Sequence, residues 1–405
     1  MTKDKLSILL ISQVFYPDQV AVSNLFTKLF ERIAATGQYD ITVWCAQPSY
    51  TTRERQPKHR NYKGLNIFYL PSTNFRKDSL FGRLLNVATF SVSVIIKLIF
   101  SRFKGTVVVH TTPPFLAILV VRVAKLKKLR VIYVLMDIFP DGLIRLDKAS
   151  PRNPLIRLWK RWHRKTLKQS DRVVAIGRDM EEWVRGEVPY LEENQLKNIP
   201  LWQDEKALAP IEFATNPFVV KYNLASYFVV QFSGNMGLWN DLVTVGKAVS
   251  KGIEGVKFVF IGDGIRKREL VQAMGEEGAK SSLFLNFLSN DEYTYSVTAC
   301  HCGLVTLRPE ALGMGVPSKI FGIMAAGIPV LAIAPKNSEI GLIVLESNSG
   351  MVVEPGNAEG LIKAIITLKD NDQLRLEMGR NGRTAFEKKY TLSVVASRYY
   401  ELLSY

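Results

Sequence analysis

At 405 residues the chain exceeds one ordinary core, so two domains of roughly 200 residues each are expected. Hydrophobic residues at 47% and charged residues at 22% exclude wholesale disorder. The three cysteines, Cys45, Cys300 and Cys302, are too sparse and odd in number for a disulfide framework and favour a reducing compartment. The net charge of +16 is unevenly placed. Residues 1–205 carry 33 Lys and Arg against 18 Asp and Glu, a net of +15, and within them Arg76–Arg172 holds 21 basic and 5 acidic residues. One half therefore expects an anionic partner, either a nucleic acid or an acidic lipid surface.

Met1–Lys5 is polar, and the apolar run Leu6–Ile11 is too short for the core of a signal peptide. That run reads as a first strand, followed by a Pro17 loop and a helix over Asn24–Ala35. Further strands are expected at Asp40–Cys45, Leu65–Leu70, Thr106–His110, Arg130–Leu135 and Arg172–Ile176. Leu84–Phe100 is 17 residues long and interrupted by Asn86 and Lys97, short of the ~20 apolar residues of a spanning helix. It reads as a buried or membrane-apposed helix. After the irregular stretch Pro200–Pro217 the alternation restarts, with strands at Tyr227–Phe232, Val256–Ile261, Leu283–Leu285, Gly303–Leu307, Pro329–Ile333 and Met351–Val353. Helices fit at Asn240–Lys251 and Ile265–Met274, and Thr391–Leu403 is amphipathic. Continuous apolar runs alternating with helices predict parallel sheets covered on both faces, in two successive doubly wound α/β domains.

Ligands of open α/β sheets bind beyond the carboxyl ends of the strands. Three glycine turns fall there: Gly234-Asn-Met-Gly237, Gly262-Asp-Gly264 and Gly313-Met-Gly315-Val-Pro-Ser-Lys319. Absent side chains let backbone N–H groups approach phosphate oxygens, although one such turn alone is more often only a tight turn. Three in one domain, the last ending in Ser318-Lys319, point to a diphosphate site. Neither a Walker A loop nor a dinucleotide fingerprint is present, so ATPase and dehydrogenase readings lose support. Cys300-His301-Cys302 is too tightly spaced for a zinc knuckle.

Residues 303–334, with Val316-Pro-Ser-Lys-Ile-Phe-Gly322 and Met324-Ala-Ala-Gly327, resemble the donor-binding region of retaining glycosyltransferase family 4, nearest its bacterial surface-polysaccharide subgroup with fucosamine-type transferases. Phe15-Tyr-Pro17, Val134–Pro140, Ser233–Gly237, Asn348–Gly350 and Pro355–Asn357 extend the resemblance over nearly the whole chain. It implies the GT-B architecture: two facing Rossmann-like domains of doubly wound parallel sheet, residues 1–205 serving the acceptor and the membrane and residues 206–385 the nucleotide-sugar. Residues 386–405 form a helix crossing back to the first domain. The implied enzyme is a retaining, metal-independent transferase of hexosyl type, with no cofactor and no metal site. It would sit in the cytoplasm, peripheral on the inner face of the cell membrane, and build surface polysaccharide.

The chain departs from the family where two glutamates commonly stand, placing Met314 and Gly322 there. Glu310 lies near the first position as a substitute. The region after the first strand of the second domain, Asn235–Asp241, lacks the usual cations, leaving Arg308, Lys319 and Arg266-Lys-Arg268 to face the diphosphate. Donor contacts are thus expected from Gly234, Asn235, Gly237, Arg308, Glu310, Gly315, Pro317, Ser318 and Lys319, with base recognition on the backbone around Leu288. Lys319 has a plain alternative as a solvated helix residue. Asp137, with Asp141 nearby, is the candidate acceptor base, against an ordinary loop-capping aspartate. His110 is a second catalytic candidate, against a satisfied strand-end histidine. Arg157, Trp159, Lys160, Arg161 and Trp162 form a basic aromatic segment suited to anionic lipid and a lipid-linked acceptor, against an ordinary solvated helix. Two other readings remain: a sugar-nucleotide epimerase or hydrolase of the same fold, and a basic nucleic-acid-binding α/β protein. No recognised nucleic-acid motif supports the latter.

Overall fold

Side chains that alternate along each strand find apolar cover on both faces of the sheet, which is why the strands read as unbroken apolar runs. The computed structural model describes residues 5–47, 53–75, 80–208 and 210–404. Met1–Asp4, the polar start, and Arg76, the first of the basic run, lie outside them.

The first unit comprises Met1–Pro200 and Val395–Tyr405. Its strands are β1 (Leu6–Ile11), β2 (Tyr39–Gln47), β3 (His59–Tyr62), β4 (Leu65–Pro71), β5 (Thr106–His110), β6 (Arg130–Leu135), β7 (Arg172–Ala175) and β8 (Leu196–Asn198). They form one sheet in the order β3-β4-β2-β1-β5-β6-β7-β8, parallel except for β3, which pairs antiparallel with β4. Sequence periodicity missed β3 and β8. Both are short, and β3 is a polar edge strand of exposed and half-buried residues with no apolar run to find. The helices are α1 (Ala21–Ala34), α2 (Leu80–Phe100), α3 (Pro114–Leu126), α4 (Asp141–Arg145), α5 (Pro154–Gln169) and α6 (Arg178–Glu187).

The second unit, Leu201–Val394, holds β9 (Phe228–Ser233), β10 (Val256–Ile261), β11 (Ser282–Leu285), β12 (Cys302–Thr306), β13 (Val330–Ile333) and β14 (Gly350–Val353). All pair in parallel, in the order β11-β10-β9-β12-β13-β14. Phe228, Val230, Phe232, Phe258 and Phe260 enter one core layer, while Val229, Val259 and Ile261 enter the other. Its helices are α7 (Pro217–Lys221), α8 (Leu242–Val249), α9 (Lys267–Lys280), α10 (Asn290–Thr298), α11 (Lys319–Ala325), α12 (Glu339–Ser347), α13 (Ala358–Asp370) and α14 (Asp372–Lys389). His301 accepts the Val229 N–H at 2.9 Å, and Cys300 and Cys302 are buried, so this triplet is part of the core.

The final helix, α15 (Leu392–Ser404), leaves the second unit and ends in the first. There the Tyr400 hydroxyl donates to the Arg32 carbonyl at 3.0 Å, and Arg130 donates to the Leu402 carbonyl at 2.8 Å.

Candidate active site

Strand order reverses direction between β9 and β12 in the second unit and between β1 and β5 in the first, and such a switch point opens a crevice at the strand ends. In the second unit the β9 and β12 loops are tied together. The Arg308 N–H donates to the Trp239 carbonyl at 2.8 Å, and the Thr306 hydroxyl donates to Asn240 Oδ1 at 3.1 Å. Gly234 (φ +123°) and Gly262 (φ +115°) each need a backbone that other residues rarely adopt. A Cβ on Gly262 would lie 2.3 Å from the Gly234 carbonyl oxygen, so these two turns pack backbone on backbone.

That packing corrects one expectation. The N–H groups of Gly234 and Met236 are spent on the Ile261 and Asp263 carbonyls, at 2.8 and 2.9 Å, and cannot meet a phosphate. Those of Asn235 and Gly237 take no partner among the described residues.

Lys319 is not a solvated helix residue. Its Nζ is buried without a hydrogen-bond partner, 3.3 Å from the centre of the Phe232 ring and 3.6 Å from where a Gly234 Cβ would stand. Burial brings its pKa down to about 7, since desolvation disfavours the ammonium form. Thus β9 supplies the ring below the cation, and the turn after it the glycine beside. Arg308 differs: its Nε stands 3.1 Å from Glu310 Oε2 in a partly exposed ion pair, so the two charges offset one another. Met314 is fully buried. Gly315, Pro317 and Ser318 are half-buried on the approach to α11, and Leu288 packs its side chain on the second core layer.

Gly322 stands one turn beyond Lys319. A Cβ there would lie 2.9 Å from the Tyr293 hydroxyl and 3.8 Å from Gln203 Nε2. A tyrosine from α10 and a glutamine from the start of the unit therefore converge where the resemblance sets a glutamate. Sequence reasoning missed both, because they lie 29 and 119 residues before Gly322; the anomalous glycine was the only pointer. Burial pushes the Tyr293 hydroxyl up to about 12, so it stays protonated at neutral pH.

In the first unit, Thr111 gathers the β5 and β6 loops: its Oγ1 accepts the N–H groups of Met136 and Asp137, at 2.9 and 3.1 Å. The Asp137 carboxylate is half-buried and has no partner among the described residues, and burial raises its pKa to about 6. His110 is engaged at both nitrogens. Nδ1 accepts the Thr112 N–H at 3.2 Å, which fixes Nε2 as the protonated atom. Nε2–H then donates to Ser12 Oγ at 2.9 Å, and Ser12 donates to the Val14 carbonyl at 2.6 Å. Stacked on Phe26 and fully buried, with burial pulling its pKa down to about 3, the imidazole has no lone pair left for a substrate proton. The geometry fits the satisfied strand-end histidine.

The basic aromatic segment divides. Lys160 turns inward to Asp141 and Glu187, at 2.5 and 2.9 Å, and is not a surface cation. Trp159 stacks on Phe115 at 4.1 Å, and Trp162 lies under Arg122. Both rings are half-buried, whereas Arg157 and Arg161 are exposed.

Two doubly wound parallel-sheet units in one chain are the GT-B fold. Anabaena Alr3699/HepE in complex with UDP and glucose matches 98% of this chain and 99% of its own at a TM-score of 0.74 and 15% identity. Residues 221–385, within the second unit, match the family described as Glycosyl transferases group 1. Among relatives, the probable glycosyltransferase WbjE of Pseudomonas aeruginosa is 27% identical over 326 residues, 80% of each chain. The putative colanic acid biosynthesis glycosyl transferase WcaI of Escherichia coli K12 is 23% identical over 383 residues, 89% of this chain and 91% of its own.

Proposed function

We propose that this chain is a retaining glycosyltransferase that moves a hexosyl-type sugar from a nucleotide-diphosphate donor to a lipid-linked acceptor in bacterial surface-polysaccharide synthesis. The observation that carries the reading is the unpartnered Lys319 ammonium beside Gly234 at the switch point of the second unit. A buried cation without a counter-ion is costly, and a diphosphate is the ligand that would relieve it. HepE, of the same fold, is described in complex with UDP and glucose, which supports a nucleotide-sugar donor here. WcaI is named for colanic acid biosynthesis, which supports a polysaccharide product.

In this mechanism the bond between the anomeric carbon and the β-phosphate oxygen breaks, and the charge developing on the departing diphosphate falls to Lys319 and to the free N–H groups of Asn235 and Gly237. Arg308, whose ion pair with Glu310 uses Nε, adds the donors of its terminal amino groups, and Lys319 supplies the fixed cation. Tyr293 and Gln203 take donor hydroxyls in place of the missing glutamate. The acceptor oxygen bonds to the anomeric carbon on the face that the diphosphate leaves, which keeps the configuration, and the first unit's candidate to take its proton is the Asp137 carboxylate, whose raised pKa suits a base near neutrality. His110 orients the loops that follow β1 and β5 and is a positioning residue. The acceptor is met at the inner membrane face, from the cytoplasm.

Thermal-shift screening against UDP-, GDP- and dTDP-sugars tests the donor assignment, because a ligand that binds the native state raises apparent stability. Sugar transfer that depends on a lipid acceptor separates a transferase from an epimerase or hydrolase. Turnover of the donor at full rate without any acceptor would overturn the reading.

A further inference from the structure

The first unit leaves a long apolar surface open to water. α2 buries Phe90, Val94 and Leu98, spaced by four, on one face. Its opposite face is apolar too: Phe81, Leu84, Val92, Ile96 and Ile99 fall on one helical stripe, and all are about half exposed or more. At 1.5 Å per residue the stripe runs about 27 Å. α3 packs beside α2 and adds Phe115, Leu119 and Leu126, while α5 packs on α3 and adds Leu155 and Leu158. Phe100 and Leu126 are the most exposed, at 82% and 84%. The ends of α2 and α3 that carry them are tied by Lys127, whose Nζ donates to the Ile99 and Ser101 carbonyls at 2.7 Å each. Apolar surface this extensive marks an interaction face.

Charge identifies the occupant. Across their fifty residues, α2, α3 and α5 hold ten Lys and Arg and not one Asp or Glu. A second copy of the chain would set like charge against like charge. A nucleic acid would gain nothing from the aliphatic stripe. An interface of lipid chains and anionic headgroups satisfies both components. The apolar stretch of α2, Phe81–Phe100, is longer than its sequence suggested and by length and composition could cross a bilayer, but Phe90, Val94 and Leu98 are fully buried within the protein, which favours a helix lying in the interface.

We propose that the α2–α3 face seats the first unit on an anionic bilayer, with the Phe81–Ile99 stripe in the plane of the interface and the exposed α5 cations over headgroups. This deepens the lipid-acceptor part of the proposed function and rests on that reading only for its purpose. It moves the contact from Trp159 and Trp162, whose rings are already occupied, to the aliphatic stripe.

Flotation of the full chain with vesicles of phosphatidylcholine, alone or mixed with phosphatidylglycerol, tests it. The protein should float with the anionic vesicles and come off as salt rises. The doubly substituted Val92→Glu, Ile96→Glu chain should partition about a hundredfold more weakly, roughly tenfold for each aliphatic side chain withdrawn from the lipid. Val220→Glu, an equally exposed valine of the second unit, should float as the unchanged chain does. An unaltered far-UV spectrum and unaltered UDP binding show that the double variant is folded. Equal flotation of the double variant, or equal binding to both vesicle types, overturns the proposal. So does a solution dimer that the double variant dissociates, which would give the face to a second copy. Membrane binding without nucleotide-sugar binding would sink the transferase reading and leave this one standing.

Discussion

Replacing Lys319 by methionine should make the protein more stable and its donor site weaker, two effects that a merely structural lysine would not combine. Burial lowers the Lys319 pKa from 10.5 to about 7, which corresponds to a ceiling of about 5 kcal/mol against the charged native form. Relaxation and water entry reduce this, and a gain of about 1–3 kcal/mol is expected for Lys319→Met at pH 6. The sign follows from proton binding. Between pH 7 and about 10 the unfolded lysine holds a proton that the folded one has released, so the unsubstituted protein gains stability as pH rises through that window. The advantage of the variant should therefore shrink by about 1–3 kcal/mol between pH 6 and pH 9. Urea unfolding of the unchanged and substituted chains at both pH values, followed by a probe in the second unit, measures it. Donor affinity should fall by about 10–100-fold, the worth of a charge-assisted hydrogen bond to phosphate. Calorimetry at pH 8 should further show proton uptake when UDP binds the unchanged protein and none in the variant, because a diphosphate restores the ammonium form. A variant with no gain at pH 6 and undiminished UDP affinity would refute both the buried-cation argument and the donor site built on it.

Three further outcomes are expected. The pH profile of kcat/KM should rise to a bend near pH 6 and fall again above about pH 7 as Lys319 loses its proton; Asp137→Asn should abolish the lower bend and lower the rate about 100-fold or more. Because the native Asp137 pKa lies above its unfolded value, stability falls as pH rises from about 4 to 6, so the asparagine variant should be about 1–3 kcal/mol more stable at pH 8 and equal near pH 4; a variant of unchanged profile removes Asp137 as the base. Tyr293→Phe should cost donor binding about 0.5–1.5 kcal/mol with little change in unfolding, read by calorimetry, and equal affinity would leave that hydroxyl a filler of the Gly322 gap. Ser12→Ala leaves the His110 Nε2–H without its acceptor and should destabilise the first unit by about 1–3 kcal/mol in urea.

Apolar runs with glycine turns after them were enough to reveal two doubly wound sheets, because a parallel strand buried on both faces can hide no polar residue for long. Leu6–Ile11, Thr106–His110, Arg130–Leu135 and Val256–Ile261 are strands with the bounds their apolar runs suggest. The edge strand His59–Tyr62 has one open side and leaves no such trace. Site chemistry was legible only as residue types in loops. Which cation is free and which is spent is settled by partners distant in the chain or by packing. Arg308 and Glu310 neutralise one another, Lys160 turns to Asp141 and Glu187, and His110 is closed off by Ser12, 98 residues away. Lys319 reads in sequence like any lysine opening a helix. Only the fold, by laying its amino group on Phe232 beside Gly234, withdraws it from water and leaves it without a partner.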